Sequence, residues 1–263
     1  MAAWSDKLLV SVEDGIKRIT FNRPDRRNSV DTDTVELLHE EIERSNRDET
    51  KVIILTGAGD AFCAGADLQA TNEHDIRKLD VTASLRTHTN PTILAMRNLP
   101  IPIIARVHGP AVGVGCNYAL ASDVIVATEQ ARFGQVFVKI GLMPDGGSTY
   151  FLPRIVGYAK AFELMTTGDI INAPDALALG LVNRVVPFEE LDSTVNAIAA
   201  RLAAAPSIAI ARIKQGLNSA ETSDLAGALE FEAVNQGDCF RSADFVEGVK
   251  AFIEKRHPRF QGK

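Results

Sequence analysis

Cysteine is scarce and badly spaced for cross-linking. The 263-residue chain has three, Cys63, Cys116 and Cys239, an odd number at wide separations, which argues against a disulfide framework and for a reducing compartment. Basic charge is not in excess either: 28 Lys and Arg stand against 34 Asp and Glu, a net charge of −6. That balance argues against a general nucleic-acid or anionic-membrane surface, while leaving room for an anionic small ligand held by a local basic cluster. No apolar run is long enough to span a bilayer, and MAAWSDKLLV has no basic segment followed by an apolar one, so the expectation is a cytoplasmic protein with no membrane partner. No linker, tandem repeat or low-complexity tract divides the chain, and 46% hydrophobic with 24% charged residues fits a globular protein with a large core.

The common chemical signatures are missing as well. The five histidines make no H-E-x-x-H and the cysteines no C-x-x-C, so no metal site is expected. No G-x-S-x-G nucleophile elbow and no G-x-x-x-x-G-K-S/T phosphate loop occurs. Gly113-x-Gly115 lacks the third glycine of a dinucleotide fingerprint, since Tyr118 stands there.

What is present reads as alternating strands and helices. Leu8 to Val12 and Ile16 to Phe21 flank Asp14-Gly15 as a hairpin. Asp31 or Thr32 can cap a helix that puts Val35, Leu38 and Ile42 on one face. Val52 to Leu55 is short and wholly apolar, as in a parallel strand covered on both faces. Residues 70 to 98 begin polar and turn helical in pattern. Further on, Tyr158 to Thr167 and Pro174 to Leu179 read as helices, and Leu181 to Val186 as a strand after Gly180. From Phe188 every segment is helical, with apolar stripes at Leu191, Val195, Ile198, Leu202, then Ile210, Ile213, Leu217, then Phe245, Val249, Phe252. The expectation is an α/β core with a C-terminal helical region, divided as 1–200 and 201–263.

The centre of the chain is the stretch from Val107 to Gly147. The apolar strand Ile103 to Val107 ends in a turn spaced by Gly109, Gly113 and Gly115. A small-residue helix, Cys116 to Ser122, and a second strand, Val124 to Ala127, follow. The stretch closes at Pro144-Asp145-Gly146-Gly147, before an apolar helix. Glycines between strand and helix let backbone N–H groups approach a ligand, and the helix N-terminus favours negative charge there. A second glycine-alanine loop, Phe62-Cys-Ala-Gly-Ala-Asp67-Leu68, follows the strand at residue 55.

This pair of loops resembles the crotonase superfamily, the enoyl-CoA hydratase/isomerase proteins. The ordered set behind the resemblance covers essentially the whole chain: Asn22-Arg-Pro24 with Asn28, the A-G-A-D-L loop, Gly113 to Asp123, Phe133-Gly-Gln135, and Ala251-Phe-Ile-Glu-Lys255-Arg. The resemblance implies a ββα spiral with two packed sheets, assembled as a homotrimer or a dimer of trimers. It also implies an acyl-CoA thioester as substrate, with no separate cofactor. The thioester oxygen would be held by the backbone N–H groups of Ala66 and Val114; the latter is a glycine in most members, so its side chain is expected to narrow or reshape the pocket. Around these the family pattern implies acyl-CoA contacts at Ala64, Asp67, Leu68, Asn117, Phe137 and Leu142. For CoA itself it implies Arg27, Phe252 and Lys255.

The hydratases of the family use two glutamates, and the matching positions here hold Asn117 and Phe137. Asp145 stands where the family's Δ3,Δ2-enoyl-CoA isomerases and the phenylacetate-pathway ring isomerase carry their acid. The resemblance therefore favours an enoyl-CoA isomerase. Alternatives are a hydratase with a non-standard water site, or an aspartate-nucleophile dehalogenase or hydrolase, for which Asn90 and Phe137 are poor partners although His88 lies nearby. An RNA-binding relative carries lysines on its first helix; here that helix carries Glu36, Glu40, Glu41 and Glu43, which would repel phosphates. Each candidate also has a plainer reading. Asp145 before Gly-Gly-Ser has the pattern of a helix N-cap. Asn117 can bond a substrate or be a satisfied structural amide, Arg26 and Arg27 can be a solvated pair, and Asp67 can serve to order its loop. Cys63 and Cys116 read as small buried side chains, and His108 as a backbone partner.

Overall fold

A computed structural model describes residues 6–68 and 80–263. Strands β1 (Leu8–Glu13) and β2 (Ile16–Phe21) form the expected hairpin. Asp14 (φ 51°) and Gly15 (φ 77°) are both left-handed, which is what a two-residue turn between twisted strands requires. β2 starts a parallel run through β3 (Val52–Gly57), β4 (Ile103–Val107), β6 (Val124–Thr128) and β9 (Arg184–Val186), giving a six-stranded sheet in the order β1-β2-β3-β4-β6-β9.

The apolar run in β3 is explained by where its side chains go. Ile53 and Leu55 join one core with Leu38 and Ile42 of helix α1 (Thr32–Ser45), whereas Val52 and Ile54 join Ile104, Val126 and the helical residues Leu191, Val195 and Ile198 on the other face. Successive strand residues point to opposite faces, and both faces here are covered. Asp31 caps α1, its Oδ1 accepting from Thr34 N at 3.0 Å.

The second sheet is small: β5 (Pro110–Val112), β7 (Arg132–Gly134) and β8 (Ile170–Asn172). A bridge between Cys63 and Ala111 extends it by one residue, and another joins Val30 to Ala66. The chain therefore repeats one path, from a strand of the large sheet to a short piece beside the small one and then into a helix. β4, β5 and α4 (Val114–Leu120) make one such turn. α4 begins at Val114 rather than at the expected Cys116, because Gly113 (φ 59°) already makes the turn into it.

Of the stretch 70–98, residues 70–79 lie outside the described residues; α2 (Val81–Ser84) runs through a π-helical turn (Leu85–Thr89) into α3 (Asn90–Asn98). After β7 come a 3-10 turn (Val136–Ile140), α5 (Ser148–Val156), α6 (Tyr158–Thr167) and, beyond β8, α7 (Ala173–Ala178). The strand expected from Leu181 is shorter. Leu181 N and Val182 N instead donate to Ala176 O at the end of α7, and Asn183 joins Ile125 in β6, so pairing starts at Arg184.

Four helices close the chain: α8 (Phe188–Ala203), α9 (Ser207–Ala220), α10 (Leu225–Phe240) and α11 (Ala243–Glu254). α8 lays its predicted stripe on the large sheet. The two later stripes do not enter the core of the chain: Ile213 is 59%, Leu217 65% and Phe252 86% exposed. Ile213, Leu217, Phe245, Val249 and Phe252 line a groove of about 1100 Å³ between α9, α10 and α11. What ties α9 to the body is polar. Lys214 Nζ, nearly buried, donates to Asp123 Oδ2 at 2.7 Å and to the carbonyls of Met96 and Ile101. Among the described residues no single helix is long and apolar enough to cross a membrane.

Candidate active site

The two glycine loops meet edge to edge. Val112 N donates to Cys63 O at 2.9 Å, and a Cβ on Gly65 would lie 2.9 Å from Val112 O and 3.8 Å from Gly113 Cα. The residues that follow these two glycines are Ala66 and Val114. In the bridge to Val30, the bonds Val30 N to Gly65 O and Asp67 N to Val30 O use the neighbours of Ala66 on that side. The Ala66 N–H therefore points away from Val30, on an exposed residue. Val114 is the first residue of α4, where an N–H has no intrahelical acceptor and the helix dipole adds positive potential. Val114 is 6% exposed, and its Cγ2 lies against Gly146, so the side chain braces the next loop instead of standing free in a pocket.

That next loop carries Asp145. Its carboxylate is half-buried and receives no hydrogen bond or ion pair among the described residues, and burial raises its pKa above the usual carboxylate range. Asp145 does not cap α5. The N-cap is Gly147 (φ 83°), which makes no side-chain cap bond, and Asp145 contributes only its main-chain carbonyl. That carbonyl accepts from Ser148 N at 3.1 Å, Ser148 Oγ at 2.7 Å and Asn117 Nδ2 at 2.8 Å.

The other sequence candidates fall into three groups. Arg27, Ala64 and Asp67 cluster at the first loop: Ala64 N donates to Arg27 O at 3.0 Å, and Arg27 (φ 49°) with Asn28 (φ 57°) makes a left-handed corner. Asn28 holds that corner, donating to Ala58 O and Ala61 O and accepting from Arg23 N. The Asp67 carboxylate is paired with Arg23 at 2.6 Å and is 3% exposed, so its geometry is that of a loop tie. The Arg27 side chain is exposed.

Asn117 and Phe137 belong to the Asp145 side. Phe137 is 8% exposed, with its ring edge 3.8 Å from where a Cβ on Gly113 would stand. Asn117 is wholly buried, so its amide faces protein rather than open space. Leu68, Leu142 and neighbouring Met143 are exposed apolar residues, at 57%, 50% and 73%. Phe252 and Lys255 form the third group, at the far end of α11, which packs on α10. Among the described residues no hydrogen bond or ion pair joins them to the loops of Ala66, Val114 or Asp145.

Sequence reading missed Ser148 as a partner of Asp145 and Arg23 as the partner of Asp67. Ser148 had a local signal, a hydroxyl three residues beyond an acid at a helix start; Arg23 and Asp67 lie 44 residues apart and had none. The buried thiols of Cys63 and Cys116 are pushed up to about 12, which leaves them protonated and inert. His108 is bonded to Gly59 O and held below its usual pKa by burial and by Arg106, so it is a neutral structural ring. Among the described residues no group of three or more His, Cys, Asp or Glu is placed to hold a metal.

Among the described residues, the N–H groups of Ala66 and Val114 on abutting loops and the half-buried Asp145 carboxylate on the loop behind them have no hydrogen-bond partner, in a fold of the α/β class. The chain belongs to the enoyl-CoA hydratase/isomerase family, whose model matches residues 11–263. It is 40% identical to the 1,2-epoxyphenylacetyl-CoA isomerase of Escherichia coli K12, over 97% of this chain and 98% of that one. It is 36% identical to the short-chain-enoyl-CoA hydratase of Clostridium acetobutylicum, covering 95% and 96%. The crystal structure of an enoyl-CoA hydratase from Bacillus anthracis superposes with a TM-score of 0.90 at 34% identity, over 98% of this chain and all of that one.

Proposed function

We propose that this protein is an enoyl-CoA isomerase that moves a double bond along an acyl-CoA thioester by proton transfer through an enolate. Asp145 removes the α-proton of a 3-enoyl-CoA, and the electron pair delocalises onto the thioester oxygen. The N–H groups of Ala66 and Val114 hold that oxygen as its charge grows; one such donor is typically worth about a hundred- to a thousand-fold in rate. The protonated Asp145 then returns the proton at the γ-carbon, leaving the 2-enoyl-CoA and regenerating the carboxylate. No cofactor beyond the CoA carried by the substrate takes part.

The observation that carries this reading is the solitude of Asp145. A base that receives no donor among the described residues and is raised by burial is poised to accept a proton. Hydration through two acids would need a second carboxylate, and Asn117, one of the two positions where the family's hydratases hold theirs, is buried with its amide already committed. The E. coli relative named as an isomerase supports the same choice, while hydratase names among the relatives keep hydration as the competing reaction.

Incubation with 3-enoyl-CoA and 2-enoyl-CoA thioesters, aliphatic and ring-derived, with product identification, tests the reading. Rapid hydration of 2-enoyl-CoA without any isomerisation would overturn it. Assembly as a homotrimer or dimer of trimers belongs to the same proposal, supported by the apolar groove left open between α9, α10 and α11.

A further inference from the structure

We infer that Asn117 is a positioning residue for the proton carrier: its buried amide, acting on the Asp145 main-chain carbonyl, holds the Asp145 carboxylate in register with the Val114 N–H. The inference rests on the isomerase reading and deepens it.

Both polar atoms of the amide are bonded. Nδ2 donates to Asp145 O at 2.8 Å and to Ser148 Oγ at 3.1 Å, and Oδ1 accepts from Gln135 Nε2 at 2.8 Å. Asn117 and Ser148 are both 0% exposed and Gln135 is 3% exposed. Burying polar side chains is costly unless they are bonded, and here two of the three make the same main-chain oxygen their acceptor. The segment they fix has little stiffness of its own, since Gly146 (φ 54°) and Gly147 (φ 83°) follow directly.

Asn117 also shares its helix with the oxyanion donor. It sits one turn into α4, its own N–H donating to Gly113 O at 3.3 Å, and Val114 opens the same helix. One short, rigid element therefore presents the oxyanion donor at its tip and grips the base one turn later. Gly146 rests between the two, where a Cβ would lie 3.2 Å from Asn117 Nδ2 and 3.3 Å from Val114 Cγ2. Among the described residues the carboxylate itself accepts no hydrogen bond from Asn117, whose bond is to the main-chain carbonyl, so Asn117 sets its place and leaves its basicity alone. Placement matters because an error of about 1 Å can cost roughly a hundredfold in rate.

The test compares wild type, Asn117→Ala and Ser148→Ala in kcat and KM for a 3-enoyl-CoA, in the pH profile of kcat/KM, and in Tm. Asn117→Ala is expected to lower kcat by about ten- to a hundredfold, with KM within about twofold and the midpoint of the acid limb unmoved. Ser148→Ala, which removes the other side-chain donor, is expected to lower kcat several-fold in the same way, and it decides the matter if Asn117→Ala does not fold. Retained kcat in either folded variant overturns the inference. So does a shifted acid limb with a raised KM, which would mean that the site had merely loosened and admitted water. If the wild type isomerises nothing, the isomerase reading fails by itself, and the same variants are then compared in exchange of the α-proton of butyryl-CoA with D2O. That exchange needs only the base and the oxyanion donors. A parallel loss in the variants supports the positioning role, whereas unchanged exchange, or none in the wild type, overturns it.

Discussion

Gly115 and Cys63 leave no room between them. A Cβ on Gly115 would lie 2.8 Å from the Cys63 carbonyl carbon and collide with its oxygen. This contact sets how closely the loop of Ala66 approaches the helix of Val114, and hence the spacing of the two N–H groups.

Gly115→Ala should therefore act on stability and on chemistry together. The neighbour is backbone and cannot swing aside, so the loops must part; forced overpacking of this kind costs about 1–3 kcal/mol. Denaturant unfolding should show that loss. In the fraction that stays folded, kcat should fall by about tenfold or more while acyl-CoA still binds, because oxyanion stabilisation depends on donor placement. Unchanged kcat would mean that the two loops do not share one oxyanion.

The sequence read alone reached the local features and stopped where contacts are distant. Asp14-Gly15, Asp31 and the all-apolar β3 carry their structural instructions in a few adjacent residues, and they fold as read. Asp145 is the instructive exception: the pattern Asp-Gly-Gly-Ser suits an N-cap, but consecutive left-handed glycines turn the chain so that Gly147 takes the cap position and the carboxylate is left over. Its bond to Asn117 spans 28 residues and has no sequence signal. The stripes of α9 and α11 mark those segments as amphipathic helices, yet periodicity cannot say whether an apolar face meets its own chain; Phe252 at 86% exposure does not.

Lys255 ends α11 in a left-handed C-cap (φ 54°), exposed and beside Phe252. If it meets a CoA phosphate, as the family pattern implies, the contact is between point charges and screened by salt. Lys255→Glu should raise KM for acyl-CoA several-fold with little change in kcat, and the gap from wild type should narrow at high ionic strength. An unaltered KM in the folded variant would remove Lys255 from the binding site.

The groove between α9, α10 and α11 also makes a prediction about mass. Ile213 at 59%, Leu217 at 65% and Phe252 at 86% exposure line it and form an unusually apolar surface for a free monomer. Sedimentation at micromolar concentration is expected to give a trimer or hexamer. A stable monomer under those conditions would overturn the assembly proposed above and with it any role for a neighbouring subunit at the CoA end.

Asp145 itself should show opposite effects on activity and stability. Asp145→Asn keeps the main-chain carbonyl that Asn117 and Ser148 hold, and Asp145 caps no helix, so the fold is retained while the proton carrier is gone. Isomerisation should fall by about a thousandfold or more. In the wild type, kcat/KM should drop as pH falls through the Asp145 pKa, and that midpoint should lie above the usual carboxylate range, because burial is what shifts it. The same shift has a stability sign. A carboxyl with a raised folded-state pKa contributes stability that is fully present below its unfolded pKa and lost as pH rises through the folded value. At neutral pH the ionised, half-buried group is thus a net cost to the fold, and Asp145→Asn should melt at a higher temperature than wild type. The difference should shrink as the pH is lowered and Asp145 becomes neutral. A variant that melts lower at neutral pH, or a gap that widens on acidification, would mean that the carboxylate has a stabilising partner and is not the free base the mechanism requires.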